Sequence, residues 1–200
     1  MFDIILPVRN RFKTFEKTYY SCIKFIESDS RLDASKIIII DNNSNDIPEE
    51  FILSLPSIVK YIKFNERLPM NQNWQRALKF LSNEYFTYVG SDDALIFDKL
   101  SIDIIYMNQE VDCFFWNKYS YFWESALYEN SKPIFNLPLN KYYSGLISTS
   151  KVLNDIFNGF QSGNILPTVY NSFFSIRILK KFNSKNFFNK FFWNIPDISS

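Results

Sequence analysis

The sequence predicts an α/β fold with a mostly parallel sheet, because apolar runs alternate with amphipathic helical segments. Phe2–Val8 and Ile37–Ile40 are apolar runs, which is typical of short strands buried on both faces of a parallel sheet. Between them, Phe12–Ser28 places apolar residues at helical spacing, with charged residues on the other face. The three segments together predict one β-α-β unit.

The same alternation continues along the chain and predicts one domain over residues 1–200. A chain of 200 residues can bury roughly 70% of its unfolded surface around a single core. Further helices are expected at Asp46–Leu55, Met70–Ser82, Leu95–Met107, Ser150 to about Phe160, and Asn171–Phe182. Further strands are expected at Val59–Phe64, Tyr85–Val89 and Val111–Trp116, with a hairpin or mixed strands in Asn117–Lys141.

The residue composition excludes several kinds of site. The 22 Lys and Arg residues nearly balance the 21 Asp and Glu residues, so no nucleic-acid partner is expected. The absence of histidine and the presence of only four glycines exclude imidazole catalysis and disfavour GxGxxG and Walker A loops. The two cysteines, Cys22 and Cys113, lack the pattern of a zinc site or disulfide framework, and no signal-peptide pattern opens the chain. A cytoplasmic protein is therefore expected.

Polar loops follow each of the first four predicted strands. Ligands of open α/β sheets bind beyond the carboxyl ends of the strands, so a site is expected in these loops. They contain arginines, amides and carboxylates, in the order Arg9–Arg11, Asp41–Asp46, Asn65–Arg67 and Ser91–Asp93.

Two adjacent carboxylates, Asp92 and Asp93, lie just beyond the predicted strand Tyr85–Val89. Neighbouring carboxylates repel each other, and Mg²⁺ or Mn²⁺ relieves this repulsion by taking their oxygens as ligands. Such a cation would bridge the phosphates of a diphosphate, which suits a chain without a glycine-rich phosphate loop. The alternative is that Asp92 caps a helix beginning near Ala94.

Asp41 closes the isoleucine strand and is a candidate for accepting hydrogen bonds from a ribose or a base edge. The alternative is structural, because the segment Asp41–Asp46, DNNSND, is typical of Asx turns and helix caps. These residues alone leave both interpretations open.

Four motifs in this order resemble the family 2 glycosyltransferases, which are inverting enzymes of the GT-A fold. They are PVRNR at Pro7–Arg11, IIIIDNNSND at Ile37–Asp46, NWQRAL at Asn73–Leu78, and YVGSDDA at Tyr88–Ala94. Four motifs in sequence are more specific than any one alone. The resemblance implies a Rossmann-like, mostly parallel sheet flanked by helices, with a nucleotide-sugar-binding half at residues 1–95 and a small mixed acceptor-side half at residues 96–200.

The resemblance also implies roles for single residues in binding a nucleotide-diphospho-sugar donor. Asp41 would contact the nucleoside, whereas Asp92 and Asp93 would handle the ribose, the diphosphate and a divalent cation, Mn²⁺ or Mg²⁺. Asp93 would be the more direct metal ligand, and Asn73 matches an asparagine that precedes the metal motif. The expected metal ligands are therefore Asp93 and Asp92, and the expected donor-binding residues are Pro7, Arg9, Asp41, Asn43, Arg67, Asn73 and Asp92.

Two positions depart from the pattern of that family. Arg9 stands where a tyrosine is frequent, although a guanidinium can also stack on a base. Gly90 occupies a place that is often a further aspartate, which leaves the predicted metal site with one carboxylate fewer.

Inverting transfer also needs a carboxylate that deprotonates the acceptor hydroxyl. The resemblance places this base well after the metal motif, and Asp197 in the segment Phe191–Asp197 is the expected residue. Asp155 is a weaker substitute. The alternative for Asp197 is an acidic residue in a terminal tail.

A basic and aromatic stretch runs from Arg177 to Lys190 without an acidic residue. It could rest on an anionic membrane surface near a lipid-linked acceptor, or neutralise the departing diphosphate. A solvated helix face beside a core strand is the favoured interpretation. The aromatic residues of Phe114–Tyr128 could stack on acceptor sugars, but such residues more often belong to a core.

We therefore expect a metal-dependent inverting enzyme that moves a sugar from a nucleotide-diphospho-sugar, UDP-sugars included, to a sugar or lipid-linked saccharide acceptor. The expected setting is bacterial surface polysaccharide synthesis, in the cytoplasm or peripherally at the inner face of the membrane. Two alternatives stay open. One is a sugar-1-phosphate nucleotidylyltransferase, although PVRNR lacks the glycine-rich loop expected there, and the other is a non-catalytic nucleotide-sugar-binding or scaffolding relative.

Overall fold

The structure is a computed structural model that describes residues 1–96, 99–107, 110–116, 120–122, 132, 134–136, 146–160, 168 and 170–181. The strands are β1 Phe2–Val8, β2 Lys36–Asp41, β3 Val59–Lys63, β4 Tyr85–Tyr88, β5 Cys113–Phe115, β6 Ser120–Phe122, β7 Ile134–Asn136 and β8 Ser172–Ser175. The helices are α1 Phe12–Glu27, α2 Glu49–Leu53, α3 Met70–Ala77, α4 Lys99–Met107, α5 Thr149–Phe157 and α6 Ile176–Lys181, with 3₁₀ turns at Ser30–Leu32 and Leu78–Phe80.

Six strands form one sheet in the order β3-β2-β1-β4-β8-β5. β1 lies near the middle and pairs in parallel with both β2 and β4, and β2 pairs in parallel with β3. β8 pairs with β4 in the antiparallel direction. The predicted α/β fold with a mostly parallel sheet flanked by helices is confirmed.

The core lies on both faces of the parallel strands β2, β1 and β4. Every residue of β1 is buried, and so are all residues of β4 and the last five of β2. Aromatic side chains join helices to this sheet and to one another. Trp74 of α3 stacks on Tyr88 of β4 with ring centroids 5.5 Å apart, and Phe51 of α2 packs edge-on against Phe15 and Tyr19 of α1. Strands covered on both faces carry apolar residues at nearly every position, which explains the apolar runs in the sequence.

The chain divides into two compact units, one comprising residues 1–114 and 172–200 and the other residues 115–171. In the second unit, β6 and β7 form an antiparallel pair, which confirms the hairpin or mixed strands predicted within Asn117–Lys141. The predicted helix from Ser150 is α5, and its cap is Ser148, whose side chain accepts from the Lys151 backbone N–H. Among the described residues, no helix has the length and hydropathy needed to cross a membrane.

The helix predicted at Asn171–Phe182 is wrong in its first part, because β8 occupies Ser172–Ser175 and the helix begins at Ile176. Phe173 is fully buried and its ring lies 4.4 Å from that of Phe2 in β1. Burial in the sheet outweighed the helical spacing of this segment, a tertiary effect that local sequence does not report.

Asp3 is a buried carboxylate at the amino end of β1, opposite the edge where the polar loops lie. It accepts hydrogen bonds from the backbone N–H of Ser82 at 2.5 Å and of Asn83 at 2.8 Å, and from the Asn83 side chain at 2.8 Å. A buried charge is tolerated only when hydrogen bonds replace its water. Asp3 therefore fastens β1 to the segment that enters β4.

We expect Asp3→Ala to lower the free energy of unfolding by about 3 kcal/mol, because two backbone donors lose a charged acceptor. Urea unfolding measures the change. The matched control is Asp33→Ala, which removes an exposed carboxylate and is expected to change stability by about 0.5 kcal/mol or less. Equal losses in the two variants would contradict the role given to Asp3.

Candidate functional site

The loops that follow β1 and β2 are bound to each other at the carboxyl edge of the sheet. The Asn10 N–H donates to Ser44 Oγ at 2.8 Å, and the Asn45 N–H donates to Asn10 Oδ1 at 3.2 Å. The Phe12 N–H, at the start of α1, donates to Asp46 Oδ2 at 2.9 Å. These bonds use the short polar side chains of both loops, so the two loops form one structure.

Three residues in these two loops have a left-handed backbone, with φ of 57° at Asn10, 62° at Arg11 and 65° at Asn43. A non-glycine residue in this region costs free energy, and such residues persist only where their surroundings hold them. The bonds between the two loops supply that support. Conformations of this kind cluster at functional sites, where a loop must be preorganised.

The loop after β3 is joined to the same edge through Asn42 and Arg76. Asn42 Nδ2 donates to the Leu68 carbonyl at 2.7 Å, and Asn42 Oδ1 accepts from the Leu68 N–H and from the Arg76 guanidinium, both at 2.9 Å. Arg76 also donates to Asn73 Oδ1 at 2.8 Å and lies 3.5 Å from the centroid of the Phe64 ring. The pKa of Arg76 is lowered, because burial disfavours the charged guanidinium more than the nearby carboxylates of Glu66 and Asp41 favour it. Arg76 thus connects α3 to the loops after β2 and β3.

Asp41 is fully buried at the end of β2, and both of its carboxylate oxygens already accept hydrogen bonds. Oδ1 accepts from the Ser44 backbone N–H at 2.7 Å, and Oδ2 accepts from the Tyr61 hydroxyl at 2.5 Å. Burial is the main cause that raises the pKa of Tyr61, and the hydrogen bond to Asp41 raises it further. The structure thus contains the turn that the DNNSND segment predicts. Asp41 thus has a partner within the protein at each carboxylate oxygen.

Asp92 and Asp93 are exposed and converge on Gly90. If a Cβ atom were built on Gly90, it would lie 2.6 Å from Asp93 Oδ2 and 3.3 Å from Asp92 Oδ1. One oxygen from each carboxylate therefore approaches the same point, above a residue that has no side chain. Convergent oxygens with access to solvent are the arrangement that a hard divalent cation requires.

Helix α1 fixes the backbone that carries these two carboxylates. Thr18 Oγ1 donates to the Asp93 carbonyl at 2.7 Å, and Ser21 Oγ accepts from the Leu95 N–H at 3.3 Å. Arg11, immediately before α1, places its guanidinium 3.7 Å from Asp92 Oδ2. The loop after β4 is thereby joined to the loop after β1.

The two carboxylates fit a Mg²⁺-type or Mn²⁺-type site that is completed by substrate. In the part of the chain that the structure describes, no cluster of three or more cysteine or acidic side chains is placed to hold a metal ion. Mg²⁺ is commonly bound through one or two carboxylates together with substrate phosphates and water. Two convergent carboxylates satisfy that requirement, with Asp92 and Asp93 as the residues that would hold the ion.

The predicted site residues fall into a buried and an exposed group at this edge. The exposed group is Arg9, Asn43, Arg67, Asp92 and Asp93, and the buried group is Pro7, Asp41 and Asn73. Pro7 lies within β1 and pairs with Ile40. Asp197, the predicted base, lies outside the described residues, and Asp155 lies half-buried in α5.

Three residues that support the site were not predicted from the sequence. Lys63 is the partner of Asp41 in the sheet register, and Tyr61 lies two positions before Lys63. Side chains two positions apart on a strand share a face, so the side chain of Tyr61 lies on the same face as that of Lys63, next to Asp41. Arg76 lies one helical turn after Asn73, a spacing that brings side chains together. No sequence pattern indicated a role for Thr18, because only the folded chain brings α1 to the loop after β4.

A cavity of about 410 Å³ lies at the opposite edge of the sheet, at the amino ends of β1 and β4. Arg31 lines it, but the Arg31 guanidinium is already paired with Asp29 and with Asp103 at 2.7 Å. The Tyr106 hydroxyl, also in the lining, donates to the Arg31 carbonyl. Arg31 and Tyr106 are thus paired within the protein, and all the predicted site residues that follow β1 to β4 lie at the carboxyl edge instead.

Several solved structures are similar to this chain over part of its length. S. aureus TarS 1–349 in complex with UDP-GlcNAc is 19% identical with a TM-score of 0.48, and the match covers 56% of this chain and 32% of that one. The mannosyltransferase PcManGT from Pyrobaculum calidifontis in complex with GDP-Man and Mn²⁺ is 14% identical with a TM-score of 0.42, covering 50% and 30%. GalNAc-T7 with UDP, GalNAc and Mn²⁺ is 19% identical with a TM-score of 0.40, covering 46% and 17%.

The chain thus spans 32% of the length of the S. aureus TarS 1–349 chain that it matches. A search of curated proteins gives no match. The sequence profile described as Glycosyl transferase family 2 matches residues 3–181, which include all four loops of the carboxyl edge. Since that match extends over nearly the whole chain, the protein belongs to glycosyl transferase family 2.

Proposed function

We propose that the protein is a metal-dependent inverting glycosyltransferase that uses a nucleotide-diphospho-sugar donor. The observation that carries the proposal is the convergence of the Asp92 and Asp93 carboxylates above Gly90, at the edge where four polar loops meet. Family membership supports the reaction class. The acceptor is a sugar or lipid-linked saccharide in bacterial surface polysaccharide synthesis, used in the cytoplasm at the inner face of the membrane.

The diphosphate of the donor binds beside Asp92 and Asp93, the two carboxylates that would hold the cation. When bound, Mn²⁺ or Mg²⁺ neutralises the negative charge that develops on the leaving diphosphate. Arg11 adds positive charge here, since its side chain is 70% exposed and its guanidinium lies 3.7 Å from Asp92 Oδ2. The exposed Arg9 and Arg67 follow β1 and β3 at the same edge and are available to the nucleotide.

The nucleoside is recognised at the end of β2. Exposed Asn43, held in a left-handed conformation, offers its amide to the ribose or base. Asp41 accepts a base or ribose donor at Oδ2 after the Tyr61 hydroxyl moves away. Asn73 and Pro7 are buried, and they act by fixing α3 and β1 behind the donor.

The acceptor hydroxyl loses its proton to Asp197 as its oxygen attacks the anomeric carbon, and the bond from that carbon to the diphosphate breaks. Attack from the side opposite the leaving group inverts the configuration. Arg177, in the basic stretch, donates to Ser175 Oγ at 3.0 Å and pairs with Glu110 at 3.2 Å. We therefore give that arginine a role in holding α6 and leave peripheral membrane contact to the remaining lysines of the stretch.

Donor binding is expected to depend on the cation. Melting temperature is measured with UDP-, GDP- and dTDP-sugars, each with and without MnCl₂. A cognate donor at 100 times its Kd raises stability by about 2.7 kcal/mol, and Asp93→Asn should remove the Mn²⁺-dependent part of that increase. Asp33→Asn, the same charge change on an exposed residue before β2, is expected to behave as the unmodified chain. A Mn²⁺-dependent increase that survives in Asp93→Asn would refute the metal assignment.

Asp41→Asn tests whether this carboxylate contacts the nucleoside or only holds its loop. The Asn side chain can still accept from the Ser44 N–H and donate to the Tyr61 oxygen, so we expect stability to change by about 1 kcal/mol or less. We expect donor affinity to fall by about tenfold, because a hydrogen bond to a charged group is lost. Calorimetric titration of the donor found in the screen measures this loss. Unchanged affinity in Asp41→Asn would mean that Asp41 serves only the turn.

Removing the base is expected to stop transfer without weakening donor binding. Asp197→Asn should lower kcat by about 10²- to 10⁴-fold, whereas the matched Asp155→Asn variant should retain the rate. Both variants are assayed for transfer to saccharide acceptors and for donor affinity. A rate loss in Asp155→Asn alone would transfer the role of base to α5.

A further inference from the structure

Gly90 is not required by its backbone conformation. Of the two glycines that the structure describes, only Gly159 has a positive φ, at 74°. The φ of Gly90 is therefore outside the left-handed region that disfavours residues with a side chain. Any requirement for glycine at this position must come from what surrounds its Cα atom.

The surroundings of Gly90 are the carboxylates of the proposed metal site. A Cβ atom on this residue would lie 2.6 Å from Asp93 Oδ2 and 3.4 Å from Asp93 Cγ. Cβ atoms essentially never approach another heavy atom as closely as 2.6 Å. Any residue other than glycine would therefore displace this oxygen, and since Oδ2 is the end of a flexible side chain, the Asp93 carboxylate would move and not the backbone.

The backbone on both sides of this contact is fixed. The Val89 N–H donates to the Ile5 carbonyl at 3.0 Å, which holds the residue before Gly90 against β1. The Asp93 N–H donates to the Gly90 carbonyl at 3.1 Å, and the Asp93 carbonyl accepts from Thr18. With both backbones held, the side chain of Asp93 is the part that would rotate.

We propose that Gly90 is a positioning residue for the metal site, whose missing side chain lets the Asp93 carboxylate lie beside that of Asp92. The proposal rests on the function proposed above and adds a steric condition to it. It follows that an aspartate at position 90 weakens cation binding. Its Cβ atom displaces the Asp93 carboxylate, and the added carboxylate does not compensate for that loss.

The test compares the unmodified chain with Gly90→Ala, Gly90→Asp and the control Ala94→Ser, a small change at an exposed neighbour of Asp93. MnCl₂ is titrated into each protein, alone and with UDP, and bound Mn²⁺ is measured by electron paramagnetic resonance. Urea unfolding checks that each variant folds. In metal-free protein, the ¹³C resonance of the Asp93 carboxyl group reports its position.

We expect both Gly90 variants to bind Mn²⁺ about tenfold or more weakly, a loss typical of misplaced metal ligands, while Ala94→Ser binds as the unmodified chain. The Asp93 carboxyl resonance should shift in Gly90→Ala. Unchanged affinity in Gly90→Ala, tighter binding in Gly90→Asp, or an unshifted resonance would overturn the proposal and leave the proposed function standing. An unmodified chain that binds no Mn²⁺ under either condition would instead overturn the metal-dependent function itself.

Discussion

Parallel pairing of β1 with β2 on one side and with β4 on the other determines where chemistry can take place in this molecule. Val8 pairs with Asp41, and Ile5 pairs with Tyr88, so the three strands end at one edge. Their polar loops begin side by side and can bind one another through short side chains. The hydrogen bonds between the loops after β1 and β2 keep these two loops in place.

Carboxylates in this chain act in two ways, and their burial decides which. Asp3 and Asp41 are fully buried, and each is satisfied by backbone and side-chain donors. A buried charge that lost such partners would destabilise the fold, so these two residues hold loops together. Asp92 and Asp93, in contrast, are exposed to solvent. The nucleoside contact proposed for Asp41 therefore requires the Tyr61 hydroxyl to move, whereas the cation site proposed at Asp92 and Asp93 is already open to solvent.

The sequence was sufficient to predict the strands β1 to β4. β1, β2 and β4 are buried on both faces and are mostly apolar, whereas β3 has half-buried Val59, Tyr61 and Ile62 between exposed lysines. The sequence also indicated that loops rich in Asp, Asn and Arg would share one edge, since parallel strands require that. It failed at β8, where Phe173 packs against Phe2 from the other end of the chain. It could not reveal that Tyr61 bonds to Asp41, because that contact depends on the register between two strands. Local patterns report burial and turns, whereas contacts distant in sequence follow only from the assembled sheet.

The arrangement around Asp92 allows ligand to enter without rebuilding the loops. The Arg11–Asp92 pair is 3.7 Å long between two exposed side chains, and pairs of this kind contribute about 0–1 kcal/mol. The backbone of Asp93, in contrast, is anchored by Thr18. Opening this ion pair would therefore cost little, and the backbone of the loop that carries both aspartates would stay in place. Preorganisation of this kind lowers the cost of binding, because the free energy of ordering the loops is already included in folding.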